Sequence, residues 1–137
     1  MTEGAARDGG QTQAEDCRVL IVDDDEATRL LLRAAVEGLP MTCRIYEAAS
    51  GDDAIAIGRR SRPDLALVDI VLPGSGASGV MVCKELCRDS RTKVVIVSGQ
   101  ASDSIVHAAL AAGAVEYIRK PFSVDDLQSK LARWLAD

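Results

Sequence analysis

From Cys17 onward the chain alternates short apolar runs with stretches of helical period, five times over. The runs occupy residues 19–22, 43–47, 65–68, 94–97 and 115–119. Alternation of this kind predicts a parallel α/β sheet, because strands alone would read as a sandwich and helices alone as a bundle. The runs are not equivalent. VLIV, LALV and VVIV are unbroken, as central strands covered on both faces must be, whereas CRIYE and VEYIR alternate apolar with charged residues. The second and fifth runs are therefore the expected sheet edges.

Strand order 2-1-3-4-5 puts those two runs at the edges, and it is the flavodoxin-like version of the doubly wound sheet. The helices between carry their own punctuation. Ala27, Leu30, Leu31, Ala34 and Ala35 form one apolar stripe in the first helix, which Gly38 and Pro40 end. Ser50 with Asp53, and Ser123 with Asp126, have capping-box spacing and open the second and fifth helices. Gly113 closes the fourth. Val124, Leu127, Leu131, Trp134 and Leu135 give the last helix its apolar face, so Trp134 reads as a packing residue. Residues 1–16 are rich in Gly, Gln, Ala and charge without apolar period, which predicts a flexible tail ahead of one domain over residues 17–137.

Composition then removes several function classes. Sixteen basic against twenty-one acidic side chains give a net charge of -5, the wrong sign for direct binding to nucleic acid or anionic lipid. One Phe, two Tyr and one Trp leave almost nothing for a base-stacking platform. No apolar run approaches the roughly 20 residues of a bilayer span, and residues 1–16 lack the apolar core of a signal peptide, so a cytoplasmic protein without membrane partners is expected. Cys17, Cys43, Cys83 and Cys87 lack C-x-x-C pairing and His107 alone cannot complete a zinc set. They read as reduced thiols, although Cys83 and Cys87, four apart on one helix face, raise a redox question.

In an open parallel sheet, sites form at the carboxyl ends of the strands. Read there, the chain offers Asp23, Asp24, Asp25 and Glu26 after the first strand, Asp69 after the third, Ser98 and Gly99 after the fourth, and Lys120 and Pro121 after the fifth. Clustered carboxylates repel one another, and a hard divalent cation relieves this; Mg²⁺ suits one or two carboxylates with water and phosphate. Ser98 adds a hydroxyl and Lys120 a point charge, which together suit a phosphoryl group. Each part has a plainer reading. Acidic residues after a strand are often helix N-terminal charges, and a Lys-Pro pair is an ordinary loop. Their joint placement at four strand ends is what a solvated surface has no reason to produce.

In this order the segments resemble the receiver domain of bacterial two-component response regulators. VLIVDDDEATRLLLRAAV is similar to the family's opening strand, acid pair and first helix, and DLALVDIVLPG to the strand and loop that carry its phosphoacceptor aspartate. VVIVSG resembles the strand ending in the switch Ser or Thr, and GAVEYIRKPF the fifth strand with a switch aromatic and Lys-Pro. The resemblance implies that Asp69 becomes an aspartyl phosphate. It implies that Asp24 ligates Mg²⁺ directly, Asp23 largely through water, and Val71 through its backbone carbonyl. Ser98 would hydrogen-bond the phosphoryl group, Lys120 would pair with Asp69 and then with phosphoryl oxygens, and Tyr117 would be the switch aromatic. The Lys120–Pro121 peptide bond is expected to be cis. The implied partners are a sensor histidine kinase or histidine phosphotransfer protein, an unknown downstream protein, and a second copy in a homodimer. The implied chemistry is the domain's own phosphorylation and dephosphorylation, not turnover of another substrate.

The loop after Asp69 departs from the family's P-G-x-x-G, since GSGASG delays Gly79 by two residues. Gly74, Gly76 and Gly79 also spell G-x-G-x-x-G, but after a third strand and a proline, whereas a dinucleotide fingerprint belongs in the first βα turn. Val71 and Gln100 are expected to flank the path of water attacking the phosphoryl group, and Val71 cannot orient that water. An alternative function is a small phosphatase or phosphotransferase working through an aspartyl phosphate. That chemistry needs D-x-D and a cap over the substrate, whereas here Ile70 and Val71 follow Asp69.

Overall fold

A computed structural model describes residues 17–74, 76–99 and 102–136. The tail expected over residues 1–16, and Gln100, lie outside the described residues. The order of elements is β1 (Cys17–Val22), α1 (Glu26–Glu37), β2 (Cys43–Ala48), α2 (Gly51–Ser61), β3 (Leu65–Val68), α3 (Gly79–Leu86), β4 (Lys93–Ser98), α4 (Asp103–Ala111), β5 (Glu116–Arg119) and α5 (Val124–Leu135). All five strands run parallel in the order β2-β1-β3-β4-β5, as the pattern of edge and central runs predicts.

Alternate residues of the central strands point to opposite faces, and each face meets its own set of helices. Leu20, Val22, Ala66, Val68, Val94 and Ile96 pack with Ala54 of α2, Val82, Cys83 and Leu86 of α3, and Ala109 of α4. Val19, Ile21, Leu65, Leu67, Val95 and Val97 pack with Leu32, Ala35 and Val36 of α1 and Leu127 and Leu131 of α5. Each fully buried Leu or Ile contributes roughly 1.5–3 kcal/mol by leaving water, so the two clusters supply most of the driving force.

Every helix opens on a side-chain cap. Asp25 caps α1 by accepting from Thr28 N at 3.1 Å. Ser50 and Ser123 cap α2 and α5 through Asp53 N and Asp126 N, at 3.2 and 3.0 Å, and Ser78 and Ser102 do the same for α3 and α4. Helix α4 ends in a Schellman turn: Gly113 N donates to Leu110 O and Ala114 N to Ala109 O, both at 3.1 Å. Gly113 has φ +119, which needs a residue without Cβ.

The α1 stripe is a correction. Ala27, Leu30, Leu31 and Ala34 are exposed, and the buried row is Leu32, Ala35 and Val36. The helix carries apolar residues on two sides, and spacing alone cannot choose between them. Polar contacts set its roll: Arg29 Nη1 donates to Asp23 O at 2.7 Å, and Arg29 and Arg33 reach Glu47 on the edge strand at 3.1 and 2.7 Å. On α5 the expected face holds, with Trp134 packed in the core, its Nε1 donating to the Glu116 carboxylate, and Lys93 Nζ donating to Trp134 O at 2.9 Å.

Candidate functional site

Strand register brings the chemistry to one rim. Val22 lies level with Val68, so Asp23 and Asp69, the next residues, stand side by side as β1 and β3 end. Ser98 is the last residue of β4 and lies level with Arg119, which places Lys120 just beyond it. Asp69 N donates to Val22 O at 2.9 Å and Lys120 N to Ser98 O at 3.0 Å, so the ladder continues into the residues of the site.

These residues line an open depression of ≈ 330 Å³, together with Asp24, Asp25, Thr28, Val71 and Gly99. Asp23, Asp69 and Ser98 are buried, at 1%, 8% and 1% exposure, while Asp24 is exposed. Lys120 Nζ bridges the two buried carboxylates, 2.8 Å from Asp23 Oδ2 and 3.0 Å from Asp69 Oδ2. The other oxygen of each acid is held by backbone, Asp23 Oδ1 by Asp25 N and Asp69 Oδ1 by Val71 N, both at 2.9 Å. Both carboxylates are thereby fixed in direction as well as in place.

Burial is the largest influence on Asp23 and raises its pKa; the hydrogen bond from Lys120 opposes it and does not cancel it. Burial also works against the Lys120 charge, but its hydrogen bonds to Asp23 and Asp69 and their charges outweigh that cost and raise the ammonium's pKa. Among the described residues, Asp23, Asp24 and Asp69 form a group whose ligand oxygens lie within 4.8 Å of one another, a donor set of hard oxygens suited to a divalent metal ion.

Tyr117 stands behind the depression, not in its lining. Its hydroxyl donates to Ser98 O at 3.1 Å, and Arg119 sits 5.6 Å from its ring centroid. The Lys120–Pro121 bond is cis. Asp25 is the N-cap of α1. The longer loop still returns to the site, because Gly79 packs on its backbone. A Cβ there would come within 2.5 Å of Asp69 O and 2.4 Å of Ile70 Cα. Sequence reading missed Arg29, which grips the carbonyl of Asp23 from α1, and Thr28, which lines the depression; neither carries a motif, and only the roll of the helix aims them here.

The response regulator receiver domain model matches residues 19–132. The chain belongs to the response regulator receiver family. The receiver is 36% identical over 113 residues to the KDP operon transcriptional regulatory protein KdpE of Escherichia coli (strain K12), covering 82% of this chain and 48% of that protein. It is 33% identical over 111 residues to the transcriptional regulatory protein ResD of Bacillus subtilis (strain 168), covering 81% of this chain and 45% of that protein. The chain thus spans about half the length of the curated relatives it matches. Among solved structures, the receiver resembles the CheY-like response regulator receiver domain protein of Methanospirillum hungatei JF-1, with TM-score 0.79, 30% identity, and coverage of 89% of this chain and 95% of that one. It also resembles the response regulator domain of Thermotoga maritima CheB, with TM-score 0.74, 27% identity, and coverage of 87% and 92%. No helix among the described residues is long and apolar enough to cross a membrane.

Proposed function

We propose that this two-component receiver takes a phosphoryl group onto Asp69 from a histidine kinase or histidine phosphotransfer protein, and that the change is read by a downstream protein. The observation that carries this reading is Lys120 bridging Asp23 and Asp69 at 2.8 and 3.0 Å, beside a third carboxylate in Asp24. Such a site has one carboxylate to act as nucleophile, others to hold a metal ion, and a fixed cation to receive new negative charge.

Asp23, Asp24 and Asp69, with the Val71 carbonyl, would hold Mg²⁺. When bound, the ion supplies neutralisation of phosphoryl oxygens as charge builds on them. The protein's own groups do the rest. The Val71 N–H holds one oxygen of Asp69, which leaves Asp69 Oδ2 on the Lys120 side as the attacking atom. Lys120 then exchanges its contact with Asp69 for one with phosphoryl oxygens, and the Ser98 hydroxyl takes another. Drawing Ser98 toward the phosphoryl group pulls on the carbonyl that holds Tyr117, which connects the site to β5 and its surroundings. On this reading the receiver works in the cytoplasm and catalyses only its own phosphorylation and dephosphorylation; a homodimer through the β5 edge is a further expectation.

Intact mass after acetyl phosphate with Mg²⁺ tests it. The parent gains one phosphoryl group, and Asp69→Ala does not. Labelling of Asp69→Ala at the parent's level, or turnover of small phosphate esters by the parent, overturns it in favour of another acceptor or of a phosphatase.

A further inference from the structure

The phosphotransfer reading uses no cysteine, yet two of the four lie together in α3 and the turn that ends it. Cys83 is fully buried, whereas Cys87, the C-cap residue, is half-buried and reachable. The backbone closes the turn between them, with Cys87 N donating to Cys83 O at 2.9 Å. The Cys83 thiol faces Ala109 O of α4 at 3.6 Å. Cys87 lies against Gly113, where a Cβ would come within 2.7 Å of its Sγ and 2.9 Å of its Cβ. The pair is therefore wedged where the end of α3 meets the end of α4.

We propose that Cys83 and Cys87 are a peroxide-responsive dithiol, Cys87 reacting first and Cys83 resolving it to a disulfide that withdraws Cys87 from Gly113. A division of labour is built in. Cys83 gives its one S–H to Ala109 O inside the core, which leaves the half-buried Cys87 as the sulfur that peroxide meets first.

The chemistry balances. Cys87 sulfur attacks a peroxide oxygen, the O–O bond breaks, and hydroxide leaves a sulfenic acid behind. Cys83 sulfur then attacks the Cys87 sulfur, an S–S bond replaces the S–O bond, and the departing oxygen leaves as water with the Cys83 proton. Two thiols lose two electrons, peroxide becomes two waters, and a dithiol reductant reverses the change. Cβ atoms one helical turn apart stand about 5–6 Å from each other and a disulfide needs ~3.5–4.5 Å, so the turn must tighten. Because Cys87 caps the helix, only its last turn moves. That movement lifts the side chain off the Schellman turn between α4 and β5.

Hydrogen peroxide added to the full chain, followed by intact mass and a non-reducing tryptic digest, tests this. Trypsin cuts after Lys84, between the two cysteines, so the disulfide appears as two joined peptides. The expected result is a loss of about 2 Da carried by that joined pair and restored by dithiothreitol. Cys87→Ala abolishes it, and Cys83→Ala leaves oxygen addition at Cys87 in its place, whereas a Cys17→Ser, Cys43→Ser double variant, which leaves the pair untouched, forms it at the parent's rate. In the parent, joined Cys17 and Cys43 peptides in its place, oxygen addition at Cys87 with no joined pair, or no reaction at Cys87 overturns the proposal.

Discussion

Lys120 Nζ donates to Asp69 Oδ2 at 3.0 Å across 51 positions of sequence, while its second bond, to Asp23 Oδ2, spans 97. One ammonium thus ties the end of β5 to the ends of β3 and β1. Lys120→Met leaves two buried acids facing each other, and the expected loss is about 2 kcal/mol, below the usual cost of breaking a fully buried pair because the lysine keeps some contact with water. Urea unfolding at neutral pH measures it. The lysine's pKa is raised in the fold, so its stabilisation is complete below the ordinary value of 10.5 and fades as pH climbs past the folded one. The gap between parent and variant should therefore stay constant to about pH 10 and close above it.

Asp23 runs the other way. Its pKa is raised by burial, so the folded chain binds a proton that the unfolded chain releases over the interval above 3.8, and stability falls as pH rises through that interval. Asp23→Asn removes the cost. Without divalent cations the variant should be more stable than the parent by about 1 kcal/mol at pH 8, with the gain vanishing toward pH 4. Millimolar Mg²⁺ should raise the parent's unfolding midpoint and leave the variant's nearly unchanged. Equal responses to Mg²⁺ would remove Asp23 from the ligand set.

Val71 lines the depression with a side chain 48% exposed and no group able to orient water. Val71→Asn should therefore shorten the life of the Asp69 phosphoryl group, with a rate increase of about tenfold as the upper expectation. Loss of labelled phosphate from pre-labelled protein follows it. Decay in the parent as fast as in the variant counts against a water path beside residue 71.

The two apolar sides of α1 make an internal control. Leu31 is 51% exposed and Leu32 is 1% exposed. Leu31→Lys should change stability by less than about 0.5 kcal/mol, whereas Leu32→Ala should cost about 2–5 kcal/mol. The reverse ranking in urea unfolding would mean that the helix is rolled onto the stripe its spacing first suggests.

Fold and site were legible to different depths. The three unbroken runs and two alternating ones indicated which strands are central, and 2-1-3-4-5 is the doubly wound order that puts the second and fifth at the edges. Strand ends then located Asp23, Asp69, Ser98 and Lys120, because the carboxyl ends of parallel strands all emerge at one rim. Helix roll was not legible. Leu30 and Leu31 follow the helical period as well as Leu32, Ala35 and Val36 do, and the choice between them rests on Arg29 and Arg33 meeting Glu47, 18 and 14 positions further along the chain. The same gap hid Arg29 and Thr28 from the list of site residues. Local periodicity reports that a helix has an apolar side, while long-range polar contacts decide which side is used.

Trp134 is the chain's sole indole. It is seated against Glu116, where β5 begins, and β5 ends next to Lys120. The molecule therefore carries its own fluorophore, beside a carboxylate acceptor and at the seam between the last helix and the last strand. Its emission should report, without any added dye, whether that seam is closed.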